Sequence, residues 1–321
     1  MSLHDGQARP RRSVVTRTAS ERWLRRGLSI LNGFVGDHLD ARRNSLAIEM
    51  AFWAGGRPLN LDPEALRAAF PEATPRLCVL VHGLGCDEAV WQFEQGAPDA
   101  GEVSNVSPVS YGSLLAVELG YTPLFLRYNT GLAMEANGAS LARILEELLA
   151  GYPGSVDEIV LIGHSMGGVV IRIACQAAVN AGSKWPAKVR RTITLGAPLD
   201  GADLARFAHL STTLLRVPSH PVTHLLGDAI DVRSRGVKDL RLGWRDLSLP
   251  RGARHYEIYG ALNRSRTHLA TLLFGDGLVR APRVRSGTER DSKVKHFPGV
   301  GHLELASNKD VYRQIREWCR P

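Results

Sequence analysis

The stretch that decides the fold is Gly-His-Ser-Met-Gly-Gly at residues 163–168. It follows the apolar run Ile-Val-Leu-Ile at residues 159–162, which has the length and bulk of a buried parallel strand. The apolar residues 169–175 that come next predict the start of a buried helix. A Gly-x-Ser-x-Gly motif on such a strand-to-helix turn presents the hydroxyl of Ser165 at the sheet edge. It also places the N–H of Met166 at a helix N-terminus, where negative charge is stabilised.

The rest of the chain alternates predicted strands and helices, which is typical of an α/β fold with a mostly parallel sheet covered by helices on both faces. Further strands are expected at residues 76–81, 121–128, 189–195, 255–260 and 293–297, and helices at 21–39, 111–119, 137–151 and 307–319. In the third of these helices, Asn137 is the expected N-cap. Residues 199–250 contain no clear strand and are too long for a simple loop, so they predict a helical cap over Ser165. The alternative for this insertion is an ordinary crossover helix with a surface loop.

Composition indicates an ordinary globular protein, long enough to form one large core or two small ones. The chain has 321 residues, of which 44% are hydrophobic and 22% are charged. We expect a basic, flexible tail over residues 1–20, an N-terminal helical extension over 21–75 and a catalytic domain over 76–321. There is no apolar run of about 18 residues that would span a membrane, and no apolar leader within residues 1–26. The four cysteines have no paired spacing, so the prediction is a cytoplasmic protein with reduced thiols.

The positive charge is concentrated at the N-terminus. The net charge is +8, and residues 1–26 hold seven arginines against Asp5 and Glu21. The first interpretation is a solvated leader, and the alternative is a weak contact with an anionic membrane surface. Nucleic acid is not an expected partner, because the basic residues lack interleaved aromatic residues and match no groove-reading motif. The oligomeric state is left open.

A serine nucleophile needs a histidine that accepts its proton and a carboxylate that orients the histidine. In the chain order serine, acid, histidine, the base should follow the last strand, and His302 does so between glycine-rich residues. For the acid, Asp276 lies in Gly-Asp-Gly after the strand at 255–260 and before His302. Asp200 and Asp203, which follow the preceding strand, are the alternatives.

The oxyanion of an acyl-transfer intermediate needs two preorganised N–H donors. Met166 is one candidate, and the loop His-Gly-Leu-Gly at residues 82–85 offers the N–H of Leu84 as the other. The side chain of His82 is expected to brace this loop by hydrogen bonding. Just beyond the loop, Trp91 and Phe93 are predicted either to form the wall of an acyl pocket or to be core residues.

Taken together, the motifs at residues 82–85, 163–167, 275–279 and 301–302 resemble those of the α/β-hydrolase superfamily. Within it, the chain is similar to bacterial triacylglycerol lipases and esterases and to a lipase-like branch related to inositol deacylases that act on GPI anchors. The resemblance covers about residues 77–318. It implies the α/β-hydrolase fold, an acyl-serine mechanism without a cofactor, a triad of Ser165, Asp276 and His302, and Leu84 and Met166 as oxyanion donors.

A structural calcium site, which some bacterial lipases have, is not evident in the sequence. Asp87 and Glu88 could be calcium ligands, but carboxylates in an exposed loop usually do not bind metal. No metal is therefore expected.

These observations predict a serine hydrolase that cleaves a carboxylic ester with an apolar acyl chain. Other reactions of the same triad remain open, namely those of an acyltransferase, a thioesterase or an amidase. A non-catalytic interaction protein of the same fold is a further alternative, and an intact triad argues against it.

Overall fold

The computed structural model describes residues 19–54, 56–93, 109–201, 234–244, 246–247, 249–261 and 292–321. The described strands are β1 (Ala51–Ala54), β2 (Arg57–Pro58), β3 (Arg76–Val81), β4 (Thr122–Arg127), β5 (Glu158–His164), β6 (Val189–Leu195), β7 (Arg254–Ala261) and β8 (Ser292–Pro298). The described helices are α1 (Ala19–Ala41), α2 (Pro63–Ala69), α3 (Tyr111–Leu119), α4 (Met134–Gly151), α5 (Met166–Asn180), α6 (Arg235–Asp239) and α7 (Lys309–Cys319). Short 3₁₀ helices span Glu88–Trp91, Trp185–Lys188 and Glu304–Ala306.

All eight strands form a single sheet in the order β2-β1-β4-β3-β5-β6-β7-β8. Strands β3 to β8 are parallel to one another, whereas β1 pairs antiparallel with both β4 and β2. This arrangement confirms the predicted mostly parallel sheet. Because the strands are parallel, the loops that follow β3, β5, β6, β7 and β8 all leave the sheet at the same edge, which is where sites gather in such folds.

Alternate residues of the central strands pack into two separate hydrophobic cores, one on each face of the sheet. Leu77, Val79 and Val81 of β3 pack in the cluster that contains α4 and α5, whereas Cys78 and Leu80 pack in the cluster that contains α3 and α7. All five of these side chains are fully buried, and each fully buried leucine stabilises the fold by roughly 1.5–3 kcal/mol. Helices therefore cover both faces of the sheet, as the sequence predicts.

The segment 21–75, predicted as a helical extension, is helical only in part. It contains α1 and α2, but between them β1 and β2 form a hairpin. Strand β1 of this hairpin also joins the main sheet, where Trp53 pairs with Phe125 of β4. These strands have only four and two residues. Such lengths are too short to show a period-two pattern in the sequence.

The start of α4 also differs from the prediction. The helix begins at Met134, and Asn137 lies inside its first turn instead of capping it. The side-chain amide of Asn137 donates a 3.0 Å hydrogen bond to the carbonyl oxygen of Asn129. The side chain of Asn137 therefore stabilises the loop after β4 and does not cap the helix.

Most of the predicted cap, residues 202–233, lies outside the described residues. Its described end contains α6, whose first turn is capped by the hydroxyl of Ser234, which accepts from the N–H of Val237. Among the described helices, none combines the length and the apolar content that crossing a membrane requires.

Candidate active site

Ser165 occupies the turn between β5 and α5 in a backbone conformation that side chains rarely adopt. Its φ is 53° and its ψ is −124°. The Ser165 N–H donates to the carbonyl oxygen of Leu195 at 2.8 Å, and its carbonyl accepts from the N–H of Gly168 at 3.0 Å. A non-glycine residue at positive φ persists only where its surroundings enforce it, and such strain is concentrated at functional sites. Here the strain presents a serine hydroxyl at the carboxyl edge of the sheet.

The glycines beside Ser165 are required by close packing. A Cβ atom on Gly167 would lie 2.2 Å from the carbonyl oxygen of Val81, and one on Gly163 would lie 2.6 Å from the Cα atom of Gly168. The N-terminus of α5 therefore rests directly on the ends of β3 and β5. This contact explains in physical terms why the motif carries glycine on both sides of the serine.

His302 follows β8, and the structure brings it next to the turn that carries Ser165. Its carbonyl oxygen accepts a 2.9 Å hydrogen bond from Nε2–H of His164, the residue before Ser165. The two imidazole rings are 5.1 Å apart between centroids. The His302 ring also lies against Gly196, where a Cβ atom would come within 2.9 Å of Nδ1. The residues predicted as nucleophile and base thus share one edge of the sheet.

Burial keeps both histidines neutral. It lowers the pKa of His302 to about 3, with a smaller contribution from the nearby His164. It lowers the pKa of His164 to about 4, against the opposing effect of the hydrogen bond to the His302 carbonyl. A neutral imidazole can accept a proton, but with so low a pKa it is a weak base. A carboxylate beside His302 would stabilise the imidazolium and so raise the pKa of His302.

The acid of the predicted triad is not among the described residues. Asp276 and Asp203 both lie outside them, and Asp200 is exposed in the turn after β6. Neither ring nitrogen of His302 has a hydrogen-bond partner in the described part of the chain, so Asp200 does not contact it in this way. The choice of Asp276 stays a prediction.

The loop after β3 lies directly beside the serine. A Cβ atom on Gly83 would lie 2.9 Å from the Cβ atom of Ser165, so the next residue, Leu84, is within the same neighbourhood. No hydrogen bond within the described ranges uses the backbone N–H of Leu84. Met166 is the first residue of α5, and the N–H groups of a first helical turn have no acceptor within the helix. The loop of Leu84 and the first turn of α5 thus both lie beside Ser165, and the role of these two N–H groups as oxyanion donors stays a prediction.

His82 braces this loop. It is fully buried, stacks on Tyr128 at 4.6 Å between centroids, and has Nδ1 3.0 Å from the carbonyl oxygen of Gly83. The hydroxyl of Tyr128 donates to the carbonyl oxygen of His82 at 2.8 Å. Burial lowers the pKa of His82, so the side chain is a neutral part of the scaffold.

Trp91 and Phe93 pack in the core between α3 and α7. Trp91 is fully buried and contacts Tyr111, and its ring edge faces His164. Phe93 packs on Tyr111 and Tyr312. These contacts favour the core interpretation over the acyl pocket, because the 3₁₀ turn Glu88–Trp91 directs the indole inward.

Asp87 and Glu88 are largely buried, contrary to the exposed loop carboxylates expected from the sequence. Arg25 of α1 forms ion pairs with both at 3.0 Å, and Arg127 of β4 hydrogen-bonds to Glu88 at 2.8 Å. The arginines lower the pKa of Glu88 against the opposing effect of burial. In the described part of the chain, no group of three or more His, Cys, Asp or Glu side chains is placed to bind a metal ion.

Sequence reasoning missed two contributors to this site. His164 is not among the site residues that the sequence predicts, yet its side chain donates a hydrogen bond to the main chain of His302. Arg25 was counted only as part of the basic tail, yet it pairs with carboxylates 62 and 63 residues further along the chain. A hydrogen bond or an ion pair over such separations leaves no periodic signal in a sequence.

Comparisons with known proteins point to one family. The model of the alpha/beta hydrolase family matches residues 78–314. Lipase BlEst2 from Bacillus licheniformis is 18% identical, with 76% of this chain and 92% of that chain covered at a TM-score of 0.49. An esterase from Pyrococcus furiosus is 10% identical, with 76% and 81% covered at a TM-score of 0.49. The RedJ thioesterase of Streptomyces coelicolor is 18% identical, with 78% and 91% covered at a TM-score of 0.41. No curated protein matches the chain.

The structural similarities are too distant to indicate an activity, so the assignment depends on the family model. Its match extends from within β3 to within α7 and includes the turn of Ser165, the loop of Leu84 and the loop of His302. The chain belongs to the alpha/beta hydrolase family.

Proposed function

We propose that this hydrolase cleaves carboxylic esters through an acyl intermediate on Ser165. The observation that carries the proposal is the strained turn of Ser165 between β5 and α5, with His302 held beside it by the hydrogen bond from His164. A serine at positive φ at the carboxyl edge of a parallel sheet is the arrangement that acyl transfer by this fold requires. No cofactor is part of the proposed reaction.

In the proposed mechanism, the Oγ atom of Ser165 attacks the ester carbonyl while His302 accepts the hydroxyl proton. The oxyanion that forms is stabilised by the N–H groups of Leu84 and Met166. His302 then protonates the leaving alcohol, and an acyl-serine remains. Water, activated by His302, attacks the acyl group and releases the acid and the free serine.

Asp276 is the proposed carboxylate partner of His302. The support is physical: burial, with a smaller contribution from His164, lowers the pKa of His302 to about 3, so a counter-charge is needed for efficient proton transfer. Asp276 falls between β7 and β8, and the chain therefore supplies a carboxylate between the nucleophile and the base. Asp203 and the exposed Asp200 are the weaker candidates.

Ser165→Ala tests the nucleophile. We expect loss of hydrolysis of p-nitrophenyl esters and loss of labelling by a fluorophosphonate probe, with a change in unfolding free energy of about 1 kcal/mol or less. Ser155→Ala is the matched control, because Ser155 is exposed in the loop that precedes the same strand. Most of the activity surviving in Ser165→Ala would disprove the assignment.

A substrate panel separates the alternatives on the same triad. The proposal expects esters from acetate to palmitate to be cleaved faster than the matching thioesters and amides. Faster cleavage of the thioester series would indicate a thioesterase, and acyl transfer to an added alcohol in preference to water would indicate an acyltransferase. A chain that neither reacts with the probe nor hydrolyses any substrate would be a non-catalytic interaction protein.

We propose separately that the protein makes a weak contact with anionic membranes and that it is located in the cytoplasm. The contact is supported by the charge of residues 1–26 and by α1, whose second turn leaves Trp23 49% and Leu24 65% exposed. Such a contact should bind vesicles that contain phosphatidylserine, and binding should fade in about 1 M salt, where screening acts over roughly 3 Å. Equal recovery with neutral and anionic vesicles would instead indicate a solvated leader. The cytoplasmic location is supported by four free cysteines, three of them buried.

A further inference from the structure

Helix α1 lies outside the residues 78–314 that match the family model, yet it packs on the loop of the proposed oxyanion donor Leu84. A Cβ atom on Gly33 would lie 3.2 Å from both the N and Cα atoms of Gly85 and 3.4 Å from Cδ1 of Leu84. The backbones of the helix and the loop are therefore in direct contact. A movement of α1 at this point would move the loop.

A second contact between α1 and the same loop is ionic. Arg25 lies two turns before Gly33 and pairs with Asp87 and Glu88 at 3.0 Å, while Arg127 holds Glu88 from the other side. Only 17% of the Arg25 side chain, 9% of Asp87 and 12% of Glu88 is exposed. Charges this well shielded from water interact strongly and depend on their partners. Arg25 thus fixes the C-terminal end of the loop 83–88, whose N-terminal end lies beside Ser165.

A third contact reaches the loop through residues 129–131. The side-chain amide of Asn129 donates to the carbonyl oxygen of Gly36 at 2.9 Å, which ties this segment to α1. The next residue, Thr130, accepts the N–H of Gly85 at 3.1 Å through its hydroxyl. Helix α1 therefore supports the loop 83–88 both directly, through Gly33, and indirectly, through residues 129–131.

From these contacts we infer that α1 is a positioning element of the oxyanion hole, with Arg25 and Gly33 as its positioning residues. They hold the loop 83–88 so that the N–H of Leu84 keeps its place beside Ser165. The inference rests on the proposed function. An oxyanion donor changes kcat by about 100- to 1,000-fold, and a misplacement of about 1 Å can cost about 100-fold. Changes in α1 should therefore appear in kcat.

Arg25→Ala is the first test. We expect kcat to fall about 10-fold or more with KM within about twofold, because the lost contact acts on the transition state and not on substrate binding. Arg25→Lys, which keeps the charge, should recover much of the rate. Arg42→Ala is the matched control, since Arg42 is an exposed arginine directly after the same helix, and it should behave as the wild type.

Gly33→Ala is the second test and removes no charge. The added methyl group would press on Gly85 at 3.2 Å, so the loop must shift by a few tenths of an ångström. For each variant, the Ki of a trifluoromethyl ketone is measured, because this inhibitor forms a tetrahedral oxyanion on the serine. The Ki should rise by about the same factor by which kcat/KM falls. A merely structural role of α1 would lower the melting temperature without this proportionality.

The outcomes are distinct. If the wild type neither hydrolyses esters nor reacts with a fluorophosphonate, the proposed function fails and the inference fails with it. If the wild type is active and folded Arg25→Ala and Gly33→Ala keep kcat within twofold, only the inference is overturned. A fall in kcat without a matching rise in Ki overturns it as well. Should Arg25→Ala not fold, Gly33→Ala and Arg25→Lys decide the question by the same two measurements.

Discussion

Replacing His164 should change how the stability of the protein depends on pH. The folded-state pKa of His164 is lowered from 6.5 to about 4, chiefly because the ring is fully buried. Between these two values the unfolded chain binds a proton that the folded chain excludes, so stability falls as the pH falls from about 6.5 towards 4. At about 1.4 kcal/mol for each pKa unit, the loss between about pH 7.5 and pH 4 is about 3 kcal/mol.

His164→Gln is the variant that isolates this effect. The glutamine amide does not titrate, and its nitrogen can donate to the carbonyl oxygen of His302 as Nε2–H of the histidine does at 2.9 Å. We therefore expect the variant to be less stable than, or similar to, the wild type near pH 7.5, and to gain about 3 kcal/mol relative to it by pH 4. The assay is urea denaturation followed by tryptophan fluorescence at several pH values between these limits.

His164→Leu separates the hydrogen bond from the charge. It also removes the titration, but it leaves the buried carbonyl of His302 without its donor, which costs about 1–3 kcal/mol at every pH. The loop of His302 should then lose its fixed position, and kcat should fall more in His164→Leu than in His164→Gln. Parallel stability curves for the wild type and His164→Gln would refute the reasoning, because they would show that the buried ring excludes no proton.

Three further predictions concern the acid, the core and the insertion. Asp276→Asn should lower kcat by about 10⁴, because the histidine is then held in the wrong tautomer; an active Asp276→Asn beside an inactive Asp200→Asn or Asp203→Asn would move the acid to the loop after β6. Trp91→Ala should lower the unfolding free energy by about 3–5 kcal/mol in chemical denaturation. A rise in KM confined to long acyl chains, at unchanged stability, would restore its acyl-pocket role. Hydrolysis rates should follow monomeric substrate, as for a plain esterase, because residues 199–250 carry seven Lys and Arg; a jump in rate on substrate aggregation would indicate a mobile apolar cap instead.

The central strands could be predicted from the sequence because burial on both faces leaves a continuous apolar run. Strand β6 lies at Val189–Leu195, as expected, and β5 carries the apolar residues before Ser165. The serine turn could be predicted as well, since its small residues follow from close packing. Both features depend on neighbours in the chain, which is the information that a single sequence contains most directly.

Features that depend on distant residues could not be predicted in this way. The ion pairs of Arg25 and the bond from His164 to His302 join segments that meet only after folding. Trp91 illustrates the converse, because its position after the loop of Leu84 is compatible with a pocket or a core, and only its packing against Tyr111 favours the core. Asp276 lies outside the described residues, so its place in the site stays a prediction.

The hairpin of β1 and β2 covers the side of β4 that faces away from β3. Strand β4 pairs with β3 on one side and with β1 on the other, and Trp53 of β1 stacks on Arg127 with its ring centroid 3.4 Å from the guanidinium carbon. A chain trimmed to the residues that match the family would leave one side of β4 without hydrogen-bond partners. Open strand edges recruit strands from other molecules. A form shortened to residues 78–314, which match the family model, is therefore expected to self-associate through β4.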